Sequence, residues 1–362
     1  MTLGITGLGL ATPRYQISQR DAAELTSDFS CDSAEQRDLM SLIYRHSGVQ
    51  TRGSVLLHAA AGSLAEREIF FQPRQHPLDR GPGTAARMQI YQREALPLAL
   101  HAARHALSEA DCAARDVTHV VVASCSGFSA PGIDIGLVQQ MKLRPTTKRT
   151  LIGFMGCHGG FNALDVASSI LNADNTAVVL VCAVELCSLH HFYGWDVEKV
   201  VANALFADGA GAAICQVGSP DEQLRIVRQG SVLIDNTAEA MTWNIGDYGF
   251  EMTLSQEVPA IIERHAGDWL TNFLAQEGLT LDSVGSWAIH PGGPRILDAC
   301  RKSLGLAEEK LSTCREVLAE HGNMSSATIF FVLDRLRKQP APRPIVALGF
   351  GPGMSVEAMV ID

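Results

Sequence analysis

Cys157, His290 and Asn323 are the residues whose types and settings suit covalent acyl chemistry: a thiol to attack, an imidazole and an amide to donate. Cys157 stands in Gly153-Phe-Met-Gly-Cys-His-Gly-Gly160, at an expected strand-to-helix turn. Its glycines permit a sharp backbone and close approach of a substrate. A helix N-terminus offers free N–H groups and partial positive charge, which lower a thiol pKa and cradle an oxyanion. The bland reading of a cysteine, a small buried hydrophobe, suits Cys182 and Cys215 in their apolar strands better. His290 ends an apolar strand and is followed by Pro-Gly-Gly-Pro, where an α/β sheet usually places its site. Asn323, in His321-Gly-Asn-Met-Ser-Ser326, reads alone as a helix cap. Taken with Cys157 and His290 it completes a nucleophile with two donors.

The elements that must position these residues announce themselves as short β-branched runs with helical patterns between them. Val120–Ser124, Ala177–Ala183, Gly285–Ile289 and Pro344–Leu348 read as strands, as does the apolar N-terminal stretch. In Val258–Leu274 the apolar positions follow a three-to-four residue spacing, with Pro259 near the helix start. The alternation predicts an α/β protein with a largely parallel sheet covered on its faces. The order helix, strand, site loop, Gly-rich turn, helix, strand occurs twice. This predicts two duplicated halves, residues 1–217 carrying the thiol and 218–362 carrying the imidazole and amide, with the boundary near Gly218-Ser219-Pro220.

Composition narrows the field. A net charge of −10 without a basic block argues against a nucleic-acid partner. No apolar run has membrane-spanning length, and the N-terminus lacks a basic flank, so no integral membrane contact is expected. Nine cysteines without CxxC pairs suggest reduced thiols and a cytoplasmic setting, and no metal site is expected. Neither Gly4–Gly9 nor Gly349–Gly353 carries the lysine of a phosphate-binding loop.

The segments GFMGCHGG, ANALFADGAGAA, WNIGDYGFEMTLSQEVP, IHPGGPRIL, HGNMSSAT and GFGPGMSVE occur in this order from about residue 80 onward. Together they resemble a type III polyketide synthase of the chalcone/stilbene synthase family, in particular its bacterial members. The resemblance implies a thiolase-like αβαβα layered fold, a homodimer, and Cys157, His290 and Asn323 as the catalytic triad. It implies a gating aromatic at Phe206, with Met252 where the family has a second gating phenylalanine. Cys125, Cys187 and His190 match cavity-lining positions, with packing thiols and a surface-loop imidazole as their plain readings; Gly351 and Pro352 belong to a loop shaping the cavity wall, and Arg52 would hold coenzyme A phosphates. Arg295 stands where the family commonly has a small residue beside the coenzyme A tunnel, and reads either as a second phosphate contact or as a solvated charge at a helix start.

The chemistry implied starts from a thiolate–imidazolium pair of Cys157 and His290. An acyl-CoA starter loads onto Cys157. Malonyl-CoA then loses CO2 with its carbonyl against His290 and Asn323, and the carbanion attacks the bound thioester. Coenzyme A thioesters are substrates, and no metal or redox cofactor is required. A ketoacyl-ACP synthase would use the same triad, but HPGGP replaces the loop expected there. A non-catalytic acyl-CoA-binding protein would have no need of a complete triad.

Overall fold

The computed structural model describes residues 2–218 and 224–362, so the expected boundary lies, beyond Gly218, outside the described residues. Among these residues nine strands form one mixed sheet. From edge to edge they are Ser286–Ile289, Ile345–Gly351, Ser355–Ile361, Arg225–Leu233, Leu3–Ala11, Asp208–Val217, Val179–Leu186, His119–Ser124 and Lys148–Gly153. The parallel pairs are His119–Ser124 with each of its neighbours and Ser286–Ile289 with Ile345–Gly351; the remaining pairs are antiparallel. The expected largely parallel sheet is therefore corrected to a mixed one. Ile345–Gly351 and Ser355–Ile361 are joined by a tight turn, and strands joined that way must run antiparallel.

Each half has the same local plan. A strand ending in a site loop (His119–Ser124 or Ser286–Ile289) lies parallel to the next (Val179–Leu186 or Ile345–Gly351), and two antiparallel strands follow. The halves meet where Leu3 pairs with Ile226 and Gly4 with Arg225. All eight residues of Val179–Leu186 are buried, as their apolar run requires.

Helices cover the faces. The 26-residue helix Thr84–Glu109 presents Ala99, Ala102, Ala103 and Ala106 to the first strand. Gly7 and Gly9 face it: a Cβ would lie 2.2 Å from the Ala106 carbonyl oxygen at Gly7 and 2.1 Å from that of Ala102 at Gly9. These glycines serve backbone contact between layers. The Val258–Ala275 helix follows its pattern, burying Val258, Ile261, Ile262, Leu270, Phe273 and Leu274. Lys148–Gly153 is left as a largely exposed edge strand leading directly into the turn of Cys157.

Candidate active site

Loops from the carboxyl ends of the parallel strands converge, the usual location of a site in such sheets. After Lys148–Gly153 the chain turns through Phe154 (φ 57°) and Gly156 (φ 74°), both in the left-handed region. Gly156 fits because Pro352 lies against it; a Cβ there would stand 2.5 Å from Pro352 Cδ. Cys157 then sits in a one-turn 3-10 segment, Gly156–His158, that continues into the helix Gly159–Ala173. The thiol of Cys157 lines a cavity.

Asn323 is fixed from several sides. Its N–H donates to the Leu205 carbonyl and its carbonyl accepts from Ala207, each at 2.9 Å. Its Nδ2 donates to the Gly292 carbonyl at 3.3 Å, and its Oδ1 accepts from the Ser325 N–H at 2.9 Å. The bond to Ser325 is a local turn contact and not a helix cap, since Met324 holds the cap position of Ser325–Ala327. The side-chain amide lies 4.0 Å from Cys157 Sγ. His290 follows the Ser286–Ile289 strand, with its N–H on the Leu348 carbonyl at 2.8 Å. Both of its ring nitrogens are buried without a protein partner. Buried polar atoms are nearly always paired, which sets these two apart; neither His290 nor Asn323 is among the residues that line the cavity around Cys157.

Electrostatics bear on the expected ion pair. Burial pushes the Cys157 thiol up to about 11, against smaller favourable bonds from Ser325 and Asn323. Burial, reinforced by nearby His158, lowers His290 to about 3. Burial thus disfavours the charged form of each group taken singly, so a thiolate–imidazolium pair here would rest on the attraction between the two groups.

Behind the thiol lies a carboxylate. Glu185 Oε2 accepts from Ser126 Oγ at 2.7 Å and from the Cys125 and Ser126 N–H groups at 3.0 Å. Its Oε1 accepts from Ser326 Oγ. This ties the Cys125–Ser126 loop of the first half to the Ser325–Ser326 turn of the second. Burial raises the Glu185 pKa, opposed by these donors.

The cavity holds about 400 Å³. Cys157, Cys125, Cys187, His190, Phe206, Met252 and Pro352 line it, together with Trp243, Phe250 and Ser325. Gly351 stands one step back: a Cβ there would collide with the His158 ring at 1.8 Å. A separate outer groove of about 360 Å³ is lined by Leu205, Leu254, Gly292, Gly293 and Arg295. Leu205 faces the groove and Phe206 the cavity, and along the next wall Leu254 and Met252 divide the same way.

Arg52 is a correction. It is 3% exposed, donates to the Asn203 and Phe206 carbonyls and lies over the Tyr44 ring at 5.5 Å, so it braces the Phe206 segment and is closed to a phosphate. Arg295 is exposed on the groove, with Nη2 3.4 Å from the Gln256 carbonyl. Sequence reasoning missed Trp243, Glu185 and Ser325. A carboxylate inside the apolar run Val179–Leu186 was the available signal for Glu185; Ser325 showed none. Among the described residues no group of three or more His, Cys, Asp or Glu could hold a metal ion, and no helix is long and apolar enough to cross a membrane.

The mixed sheet of two like halves, with a buried thiol, imidazole and amide at its loop end, is the thiolase-like α/β fold of condensing acyltransferases. Residues 3–220 match the N-terminal domain, and residues 224–362 the C-terminal domain, of chalcone and stilbene synthases. The chain belongs to that family and is a type III polyketide synthase. It is 32% identical to the alpha-pyrone synthesis polyketide synthase-like Pks18 of Mycobacterium tuberculosis, over 99% of this chain and 90% of that one. It is 31% identical to the 1,3,6,8-tetrahydroxynaphthalene synthase of Streptomyces peucetius, over 99% and 92%. The crystal structure of PKS-I from the brown alga Ectocarpus siliculosus superposes with a TM-score of 0.91 at 30% identity, covering 99% of this chain and 98% of that one.

Proposed function

We propose that the enzyme loads a starter acyl group from a coenzyme A thioester onto Cys157 and extends it with malonyl-CoA. The chain then closes to a pyrone or a resorcinol-type phenol. The supporting observation is the Asn323 amide 4.0 Å from Cys157 Sγ, together with the His290 imidazole, whose two nitrogens are buried and unpaired. In loading, His290 takes the thiol proton as Sγ attacks the thioester carbonyl, then returns it to the departing coenzyme A sulfur. In extension, neutral His290 and Asn323 Nδ2 donate to the malonyl thioester oxygen. CO2 leaves, and the enolate they hold attacks the Cys157 thioester and frees Sγ. Each donor is worth about 3 kcal/mol if typical of oxyanion donors. The low pKa of His290 suits this, because a neutral imidazole still carries one N–H to donate.

Relatives named for an α-pyrone and for a tetrahydroxynaphthalene support ring closure, and the mostly apolar lining suits fatty acyl starters. The exposed edge strand Lys148–Gly153, with Leu151, Phe128 and Met155 exposed around it, supports a homodimer built on that edge. Free cysteines support a cytoplasmic setting. Intact-mass measurement after octanoyl-CoA should show one acyl adduct, absent in Cys157→Ala, and malonyl-CoA should then release CO2 and product. An adduct persisting in Cys157→Ala would overturn the assignment.

A further inference from the structure

The reaction cavity has an open mouth of its own, away from the outer groove. The six-residue strand Gly249–Leu254, about 20 Å long, runs between the two. Leu254 at one end lines the groove, and Tyr248, just beyond the other end, lines the cavity. Three exposed side chains of the cavity wall mark the mouth: Tyr248 (51% exposed), Arg80 and Glu251. The Thr84 N–H donates to the Asp247 carbonyl at 2.8 Å, and the Gly249 N–H to Thr84 Oγ1 at 2.8 Å. These bonds fix the tip that carries Tyr248 to the start of the helix Thr84–Glu109, just after Arg80.

The charges at this mouth are unevenly spent. Lys199 Nζ lies 2.6 Å from Glu251 Oε2 and 4.0 Å from the centre of the Phe192 ring, so that pair is closed on itself. Asp79 turns its two carboxylate oxygens onto the Gln75 and Gly81 N–H groups. Arg74 and Arg80 both come within 4 Å of where a Cβ of Gly194 would stand, but Arg74 is paired with Asp32. Arg80 has no hydrogen bond or ion pair among the described residues. The cavity wall also includes Met241, Trp243, Phe250 and Met252. A free guanidinium at the open end of a mostly apolar cavity suits a carboxylate, whose two oxygens match its parallel N–H groups.

We propose, on the basis of the function given above, that the preferred starter is a fatty acyl group ending in a carboxylate, the coenzyme A monothioester of an α,ω-dicarboxylic acid. The thioester stands at Cys157, the methylene chain lies along Met241, Trp243, Phe250 and Met252, and the far carboxylate emerges onto Arg80. Coenzyme A stays in the groove at the other end of the Gly249–Leu254 strand. Arg80 therefore sets specificity and takes no part in acyl transfer. Because the mouth is open, later extensions push the carboxylate outward past Arg80, so the preference is written into loading.

The test measures kcat/KM for acylation of Cys157 by the adipoyl, suberoyl, sebacoyl and dodecanedioyl monothioesters of coenzyme A, each against its monocarboxylic counterpart. One chain length should be preferred over its counterpart about fivefold, the upper end for a solvent-exposed ion pair. The preference should shrink at about 1 M salt, where the screening length falls to about 3 Å. Arg80→Gln should bring the ratio to about one, and Arg80→Lys should restore part of it. No dicarboxylic preference at any length, or a ratio unchanged in Arg80→Gln, overturns the proposal. An equal loss on both donors in that variant does so as well, since it would place Arg80 on the coenzyme A that they share. No acylation of Cys157 by any donor would instead sink the proposed function itself.

Discussion

Trp243 Nε1 donates to the Cys125 carbonyl oxygen at 2.7 Å, fastening the hairpin of Met241–Gly246 and Gly249–Leu254 to the loop beside Cys157. His190 makes the second fastening. Its Nδ1 accepts from the Phe250 N–H at 2.8 Å, so Nε2 carries the hydrogen donated to the Ser126 carbonyl at 2.7 Å. The ring stacks on Phe250 at 4.3 Å. Both side chains are cavity wall and structural bolt at once.

Trp243→Ala should therefore both enlarge the cavity and loosen its hairpin. Longer acyl starters should be turned over relative to the wild type, as read by product mass across a ladder of starters. Stability should fall by about 2–3 kcal/mol, below the full cost of deleting a core tryptophan because Trp243 is only half-buried. An unchanged starter profile would show that the indole does not bound the acyl site.

Acid should destabilise the fold through its buried imidazoles. Burial holds both His290 and His190 down to about 3, against an unfolded value of 6.5. A depressed pKa contributes stability that is complete above pH 6.5 and lost as pH falls toward 3. Between those values the unfolded chain binds the extra proton, so each ring should cost about 2 kcal/mol by pH 5. Denaturant unfolding at pH 7 and pH 5 measures this, and His290→Gln should remove only the His290 share, because burial lowers His191, His158 and His321 as well. Equal losses in both proteins would contradict the neutral assignment of His290.

Asn323→Ala should separate the two half-reactions. Malonyl-CoA decarboxylation should fall about 10²–10³-fold, as for loss of one oxyanion donor, while octanoyl loading stays within about threefold. Release of CO2 is compared with the mass of the acyl-enzyme. Loss of loading together with decarboxylation would mean that Asn323 acts by holding Ser325 and Gly292.

Gly351→Ala should fail to fold stably. The added methyl would meet the His158 ring, whose nitrogens are held by Asn162 at 2.6 Å and Ser355 at 2.8 Å, leaving it little freedom to retreat. Soluble yield and thermal midpoint are the readouts. The double variant with His158→Ala should recover both in part, since the clash is removed.

The turn at Cys157 was legible from the glycines around it, and the wall positions Phe206, Met252, Cys125, Cys187 and His190, which line the cavity, from the family resemblance. The helix Val258–Ala275 was legible from its spacing. Strand direction was not, because a buried strand has the same composition in either sense. Arg52 was misread because a side chain that reaches inward to backbone carbonyls looks, in sequence, like one that reaches outward to phosphate. The burial that raises the Cys157 thiol and lowers the His290 imidazole was equally hidden. It follows from the meeting of two distant segments, which neither local motif records.

The divide between groove and cavity has the thickness of two adjacent residues, Leu205 outside and Phe206 inside. The two spaces share no lining residue, so a substitution at Leu205 can reshape the groove while the cavity wall stays as it is, and one at Phe206 can do the reverse.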